Sequence, residues 1–307
     1  MYSDFFKLSE LPFSLTPNTL YYQPLASHQE ALNLVLVALS SGDGFVKITG
    51  EVGLGKTMLC RMLLNELDDQ GHISVYLPNS FLSPSEFRAS FARELGVYPE
   101  GKSHEDLLQA VSDRLVHYAQ VGQSVVLLVD EAQAMPRETI EALRLLTNLE
   151  TESRKLFQVV LIGQPELDEQ LDQASLRQLK QRITFSCELQ PLSADEVAEY
   201  LGARSRSAGY TGEPLFSLAA VKALHQSSKG VPRLLNILGH KALLSAYGKG
   251  STRVEADHVK AAIDDSSSQL SSTLASTAAP DNRFWHGLVV GFVLAFVSML
   301  IVEQVLL

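Results

Sequence analysis

Short apolar segments alternate with longer segments of mixed polarity through the first part of the chain. The apolar segments read FVKIT, ISVYL, SVVLLVDEA and LFQVVLIG. Continuously apolar strands that are separated by helices are typical of a parallel sheet covered on both faces. The pattern therefore predicts an α/β sandwich that extends to about residue 190.

Three of the predicted helices have recognisable start signals. Ser27–Glu30 has the spacing of a capping box and predicts a helix that runs to about Leu39. Ser83–Glu86, with proline in the first helical turn, and Ser103–Asp106 predict the starts of two more helices.

The pattern changes after residue 190. Four helical segments separated by glycine or turn signals predict a small all-helical domain over residues 191–265, next to the α/β sandwich over residues 26–190. Residues 1–25 are rich in aromatic residues and proline and predict an irregular arm. Residues 266–283 are rich in serine, threonine and alanine and predict a flexible linker.

Residues 284–305 contain an apolar stretch that predicts a transmembrane helix. The nineteen residues FWHGLVVGFVLAFVSMLIV extend for about 28 Å as a helix, close to the hydrocarbon thickness of about 30 Å. A buried core helix or a partner-binding helix is the alternative. The amino terminus has no secretory signal, and Arg283 precedes the stretch whereas Glu303 follows it. We therefore expect a single-pass membrane protein with most of the chain in the cytoplasm.

The segment GEVGLGKT follows the first predicted strand and precedes a helix. It fits the phosphate-binding P-loop (Walker A) pattern, in which glycines let successive N–H groups point at a polyphosphate. In this pattern Lys56 reaches the β- and γ-phosphates, and the Thr57 hydroxyl binds Mg²⁺. An ordinary glycine-rich turn is the alternative. The predicted nucleotide contacts are Gly50, Glu51, Val52, Gly53, Leu54, Gly55, Lys56, Thr57 and Met58.

A second chemical signal is the acidic pair at the end of VVLLVDE. Asp130 is placed to bind the magnesium shell, and Glu131 is placed to polarise a water for attack on the γ-phosphate. The alternative is an acidic pair that only caps the next helix. We also expect the later strand LFQVVLIG to lie between the two strands that carry these motifs.

Four further polar residues are weaker candidates. Gln164, just after LFQVVLIG, is placed to sense the γ-phosphate or the attacking water, or is only a turn amide. Arg177 or Arg182 could reach the nucleotide of a neighbouring subunit, or could lie on a solvated basic helix. Arg233 starts a predicted lid helix and could fold over the phosphates, or could be an ordinary surface residue.

Composition excludes some classes of function. The formal net charge of −10 disfavours a general nucleic-acid binder. The two cysteines are too few and too isolated for a metal cage or a disulfide framework, and none of the eight histidines has the spacing of a metal ligand.

Taken together, these motifs resemble the AAA+ ATPases of the ExeA/GspA general secretion type, and most of all their MSHA pilus-biogenesis branch. The resemblance covers about residues 1–265, and the segments that carry it include FFKLSELPFSLTPNTLYY, SHQEAL, GFVKITGEVGLGKT, VDEAQAM, EALRLLTNLE, LIGQPEL, LRQLKQRI and GVPRLLN. It implies a five-stranded P-loop AAA+ core with a helical lid, and Mg²⁺-dependent ATP hydrolysis coupled to formation of a homo-oligomer.

The resemblance also implies roles for individual residues. It assigns phosphate binding to Lys56 and Thr57, magnesium to Asp130 and water activation to Glu131. It assigns a lid sensor role to Arg233 and the finger that acts on a neighbouring subunit to Arg182.

The function that the resemblance implies is therefore that of an ATPase anchored in the bacterial inner membrane by a single span, with most of the chain in the cytoplasm. It would assist assembly of a type IV-like (MSHA) pilus or a type II secretion apparatus, with inner-membrane pilus or secretion proteins and the lipid bilayer as partners. Longer secretion members of this family carry a peptidoglycan-binding domain after their membrane helix, and we do not expect wall binding by this chain. Two alternatives remain open, a nucleotide-dependent membrane scaffold without turnover and a DNA-directed regulator of the transposition type.

Overall fold

A computed structural model describes residues 2–14, 25–42, 44–149 and 155–276, with side chains to residue 266. Its centre is a sheet of five parallel strands in the order β2-β3-β4-β1-β5. The strands are β1 (Phe45–Thr49), β2 (Ile73–Leu77), β3 (Val125–Val129), β4 (Phe157–Gly163) and β5 (Phe185–Glu188).

Twelve helices accompany the sheet in the described part of the chain. They are α1 (Tyr2–Phe5), α2 (Ala26–Ser40), α3 (Lys56–Asp69), α4 (Pro84–Glu94), α5 (His104–Gln120), α6 (Arg137–Leu146), α7 (Glu166–Leu171), α8 (Arg177–Lys180), α9 (Ala194–Ser207), α10 (Leu218–Ser228), α11 (Pro232–Gly248) and α12 (Ala256–Ser276).

Both faces of the sheet are covered, and β3 shows why its sequence is apolar throughout. Val125, Leu127 and Val129 belong to one hydrophobic cluster, whereas Val126 and Leu128 belong to the cluster on the opposite face. Successive side chains of a strand point to opposite faces, so a strand buried on both sides has no polar position. The predicted α/β sandwich with a parallel sheet is confirmed.

Strand β4 lies between the two strands that precede the chemical motifs. It pairs in parallel with β1, where Thr49 is opposite Gly163, and with β3, where Val129 is opposite Leu161. The expected insertion of this strand is therefore confirmed. It brings the ends of β1, β3 and β4 to one edge of the sheet.

The helix start signals had different outcomes. Ser83 and Ser103 each form the predicted capping box. The prediction for Ser27 is wrong, because α2 already begins at Ala26 after Leu25 and has no side-chain cap. The Ser27 hydroxyl instead donates to the carbonyl of Gln190 over 3.5 Å.

The described part of the amino-terminal arm packs on the helices that follow the sheet. The Tyr2 hydroxyl lies 2.9 Å from His240 Nδ1, and Arg204 Nε donates to the Pro12 carbonyl over 2.7 Å. The rings of Phe13 and Phe216 are in edge-to-face contact. Residues 2–14 therefore pack on the helical region that we call the lid, which comprises α9, α10 and α11.

The chain divides into two compact units, Met1–Lys260 and Ala261–Leu307. The first contains the sheet and the lid, and the second contains the continuation of α12. This helix extends through Ser276, whereas the sequence predicts a flexible linker from residue 266. Residues 266–276 contain neither glycine nor proline, so no strong helix breaker ends the helix earlier.

No helix within the described residues has the length and apolar character needed to cross a bilayer. The predicted transmembrane helix at residues 284–305 lies outside them.

Candidate nucleotide site

The phosphate loop, Gly50–Thr57, leaves β1 at the shared edge of the sheet and enters α3. Gly53 has φ of 88° and Gly55 has φ of 94°, a region that side chains other than hydrogen adopt at a steric cost. Their surroundings are also close. A Cβ on Gly53 would lie 2.9 Å from Arg233 Cβ, and a Cβ on Gly55 would lie 2.9 Å from His28 Nε2. Both glycines are therefore required for conformation and for space.

The charged ammonium group of Lys56 lies within the phosphate loop. Its ammonium group donates to the carbonyls of Gly50, at 2.7 Å, and Glu51, at 3.1 Å. The side chain is buried, and this burial lowers the pKa of Lys56, although the carboxylates of Glu131 and Asp130 oppose the shift. The loop thus combines a cation with the amino-terminal end of α3, which is an arrangement suited to a polyphosphate.

Four residues that follow strands β3 and β4 form what we call the acidic corner, namely Asp130, Glu131, Gln133 and Gln164. Asp130 is buried at the end of β3 and accepts hydrogen bonds from the side chains of Thr57 and Cys60. The Tyr76 hydroxyl also donates to it, over 3.4 Å. Burial raises the pKa of Asp130, as does the nearby charge of Glu131, and the hydrogen bonds from Thr57 and Cys60 lower it.

The contact between Thr57 and Asp130 tests whether the residues present fit Mg²⁺. A hydroxyl oxygen and a carboxylate oxygen are the hard ligands that this ion prefers, and it usually keeps several waters and takes phosphate oxygens as well. Within the described residues there is no cluster of three or more His, Cys, Asp or Glu that could cage a metal ion. The site therefore fits an ion that the nucleotide brings with it, held by one hydroxyl and one carboxylate.

Glu131 is the second acid of the corner, and its environment is different. It has a left-handed backbone with φ of 51° and starts a 3₁₀ turn at Ala132–Ala134. One of its carboxylate oxygens, Oε2, accepts from Gln133 Nε2 at 2.6 Å and from Gln164 Nε2 at 3.2 Å. Two neutral amides thus hold the carboxylate without neutralising its charge.

The structure places the predicted arginines in different regions. The backbone N–H of Arg233, in the first turn of α11, donates to the Gly53 carbonyl over 3.2 Å, so the lid meets the phosphate loop. Arg182 donates to Thr147 at 2.7 Å and to Asn148 at 2.6 Å, at the end of α6 and not at the phosphate loop. Arg177 is exposed at the start of α8.

Two residues of the site were missed by the sequence reasoning. Gln133 contacts the carboxylate of Glu131. Its only signal in the sequence was its position two residues after Glu131 in VDEAQAM. His28 is buried against the phosphate loop, and burial lowers the pKa of His28 to about 4, whereas backbone hydrogen bonds at Gly55 and Leu54 oppose this shift. Its signal was present, since His28 shares the helical spacing of the apolar residues on the buried face of α2.

Comparison with known proteins adds two kinds of finding. Residues 39–171 match the sequence family described as the AAA domain. The chain is also 43% identical over 255 residues to the general secretion pathway protein A of Aeromonas hydrophila. This match covers 83% of the chain but 46% of that relative, so the chain spans slightly less than half of the curated relative's length.

Solved structures share the fold at low sequence identity. The ORC2 protein of Aeropyrum pernix has a TM-score of 0.58 and 18% identity, with 81% of this chain and 72% of that chain covered. Cdc6p of Pyrobaculum aerophilum has a TM-score of 0.60 and 18% identity, with 79% and 67% covered. The Drosophila ORC bound to DNA has a TM-score of 0.60 and 20% identity, with 83% and 66% covered. At these identities the likeness concerns the fold alone.

Proposed function

The chain carries an AAA domain with the α/β P-loop fold, and from this premise we propose that it binds ATP with Mg²⁺ and hydrolyses it. The observation that carries the proposal is the meeting of the phosphate loop with the acidic corner. Thr57 contacts Asp130, and the charges of Asp130 and Glu131 both act on Lys56. A triphosphate tail in the loop would therefore have a metal site and a general base beside it.

Each residue has a distinct part in the proposed reaction. The loop N–H groups and Lys56 bind the phosphates and stabilise the charge that develops on them. Thr57 and Asp130 hold Mg²⁺, which supplies charge stabilisation when it is bound. Glu131 orients a water and accepts its proton as the water attacks the γ-phosphate.

The experiment compares phosphate release by the full-length chain, purified in a mild detergent, with that of Lys56→Ala and Glu131→Gln. We expect both substitutions to abolish most of the Mg²⁺-dependent turnover. Lys102→Ala and Glu138→Gln, at exposed positions away from the site, serve as matched controls and should keep wild-type rates. Turnover that survives both site substitutions would overturn the proposal, and tight ATP binding by a wild-type chain without turnover would support the scaffold alternative.

We further propose that the ATPase serves assembly of an envelope machine, either a type II secretion apparatus or an MSHA-type pilus. The support is the 43% identity to a protein named for the general secretion pathway, together with the resemblance to pilus-biogenesis members. A deletion strain should lose secretion or surface pili, and the Lys56→Ala chain should not restore them. Normal secretion together with intact pili in the deletion strain would contradict this part of the proposal.

A homo-oligomer in which Arg182 reaches the neighbouring site is also part of the proposal. The Arg182 side chain is partly exposed, and it donates to Thr147 and Asn148, away from its own phosphate loop. An inactive Arg182→Ala chain still has an intact phosphate loop, whereas an inactive Lys56→Ala chain still has an intact Arg182. Mixing the two should therefore restore part of the turnover if the finger acts between subunits, and no recovery would contradict the assignment.

Finally, we propose that residues 284–305 anchor the protein in the bacterial inner membrane with the AAA domain in the cytoplasm. The support is the apolar composition of the stretch. A charged residue near the centre of a transmembrane helix costs about 2.5–3.5 kcal/mol, so arginine substitutions there test the proposal. The variant Val293→Arg, Val297→Arg should lose alkali-resistant association with membranes, whereas Val293→Leu, Val297→Leu should keep it. Equal membrane association of both variants would contradict the anchor.

A further inference from the structure

Gln133 forms a bridge between the carboxylate of Glu131 and the end of strand β4. Its Nε2 donates to Glu131 Oε2 over 2.6 Å, and its Oε1 accepts from the backbone N–H of Gln164 over 3.0 Å. The two partners fix the orientation of the amide, because a backbone N–H can only donate and an ionised carboxylate can only accept. The amide therefore cannot be reversed without losing both hydrogen bonds.

The backbone is restricted on both sides of the Gln133 side chain. The left-handed backbone of Glu131 starts the 3₁₀ turn that carries Gln133. Opposite the amide, β4 ends in Gly163, where a Cβ would lie 2.9 Å from Gln133 Oε1. The chain is thus shaped on both sides to hold the glutamine side chain in one position.

We propose that Gln133 is a positioning residue for ATP hydrolysis that holds Glu131 in the orientation of a general base. The inference rests on the proposed function, in which Glu131 accepts a proton from the attacking water. Within the described residues, Gln133 and Gln164 both donate to Oε2 and neither donates to Oε1, so Oε1 is the oxygen that we assign to the attacking water. Because Gln133 is tied to the backbone of Gln164, the carboxylate and the tip of β4 are held as one unit.

The choice of an amide has a physical reason. A lysine or arginine at this position would form an ion pair with Glu131 and stabilise its charged form, which would make it a poorer base. A neutral amide restricts the rotation of the carboxylate without adding a charge. Orientation matters because a base must lie within hydrogen-bond distance of the proton that it removes, and small displacements of catalytic groups reduce rates strongly.

The test measures kcat, KM and equilibrium ATP binding of the full-length chain with Gln133→Leu and Gln133→Glu. Leucine keeps the approximate volume and removes the donor, whereas glutamate replaces the donor with a second carboxylate beside Glu131. We expect kcat to fall about 10-fold for leucine, the size of one hydrogen bond to a charged group, and further for glutamate. KM and the Kd of ATP should stay within about threefold, because Gln133 acts on the base and not on nucleotide binding.

Gln170→Leu is the matched control, because it removes the hydrogen bond to the Gln133 carbonyl but does not touch Glu131. Its kcat should stay within about twofold of the wild type. If Gln170→Leu lowered kcat as much as Gln133→Leu, a general loosening of the turn would explain the effect and the inference would be overturned. A thermal unfolding midpoint measured for every variant checks that each one is folded.

A double substitution separates positioning from other roles. In the Glu131→Gln background the base is already lost, so adding Gln133→Leu should change kcat by less than about twofold, far from the product of the two single effects. Independent, multiplying effects would overturn the inference, as would a Gln133→Leu chain with wild-type kcat. These outcomes are distinct from failure of the proposed function, which would appear as Mg²⁺-dependent turnover that persists in Lys56→Ala and Glu131→Gln.

Discussion

The phosphate loop and the acidic corner meet at one edge of the sheet, but they are built over different distances along the chain. The loop is one continuous segment whose lysine bonds to carbonyls five and six residues away. The acidic corner joins Glu131 to Gln164, thirty-three residues later, and this contact exists only because β4 pairs with β3. The proposed binding chemistry is therefore local in sequence, whereas the proposed chemistry of cleavage depends on the order of the strands.

The test with the largest expected effect separates ATP binding from ATP cleavage by changing one residue in each region. Glu131→Gln should lower turnover by about 10²–10⁴-fold and leave the Kd of ATP nearly unchanged, because a general base acts only in the transition state. Lys56→Ala should weaken ATP binding as well as turnover. Isothermal titration calorimetry with single-turnover kinetics measures both quantities. Equal loss of ATP affinity in the two variants would remove the distinction between the regions.

The next test concerns the shape of the phosphate loop. Gly55→Ala should weaken ATP binding by about 2–3 kcal/mol, since alanine resists a left-handed φ by about 1–2 kcal/mol and its Cβ would also press on His28. Gly71→Ala is the control, because Gly71 has φ of 75° but nothing within 4 Å of a Cβ. It should lose stability while keeping ATP affinity. Similar ATP affinities for the two variants would show that the space beside His28 has no influence on binding.

The pH dependence of the unfolding free energy tests whether His28 of α2 is buried in its neutral form against the phosphate loop. The folded pKa of His28, about 4, is below its ordinary value of 6.5, so the stabilising effect is present above pH 6.5 and is lost as the pH falls towards 4. Between pH 7 and pH 5 the wild type should lose about 2 kcal/mol of unfolding free energy that His28→Gln does not lose. Urea unfolding at both pH values measures the difference. Parallel losses in the two proteins would contradict a buried neutral His28.

The smallest expected effect lies in the acidic corner. The hydrogen bond from Tyr76 to Asp130 is long, at 3.4 Å, and Asp130 also accepts from Thr57 and Cys60. Tyr76→Phe should therefore raise the Mg²⁺ concentration needed for half-maximal turnover by less than about threefold, equivalent to less than about 1 kcal/mol. Asp130→Asn is the comparison, with a much larger shift. A large effect of Tyr76→Phe would mean that this hydroxyl has a larger part in the metal site than its distance indicates.

The same contrast explains how much could be predicted from the sequence. The strand, the glycine loop and the following helix are contiguous, so local pattern was enough to predict Gly50–Thr57, and the apolar run of β4 was enough to place it in the sheet. Gln133 was missed because its contact with Glu131 depends on the left-handed backbone of Glu131. Sequence pattern predicts that conformation for glycine and not for glutamate. His28 was missed because its partner, the backbone at Gly55, lies on another element.

Errors at the ends of elements have a similar origin. The serine at position 27 has suitable capping chemistry, but α2 starts one residue earlier at Ala26, and the hydroxyl turns to the Gln190 carbonyl. Capping residues indicate where a helix can begin, and tertiary contacts decide whether that start is used.

The arm that covers the lid has a consequence for how the chain is synthesised. Tyr2 and His240, which are in contact, are separated by 238 residues, so Tyr2 leaves the ribosome well before the lid helix that it contacts. At about 5–20 residues per second this delay is on the order of 10–50 s, during which Tyr2, Phe6 and Phe13 have no native partners on the lid. The arm is made before the lid and docks late, and a chaperone that shields aromatic side chains would have a long opportunity to bind there.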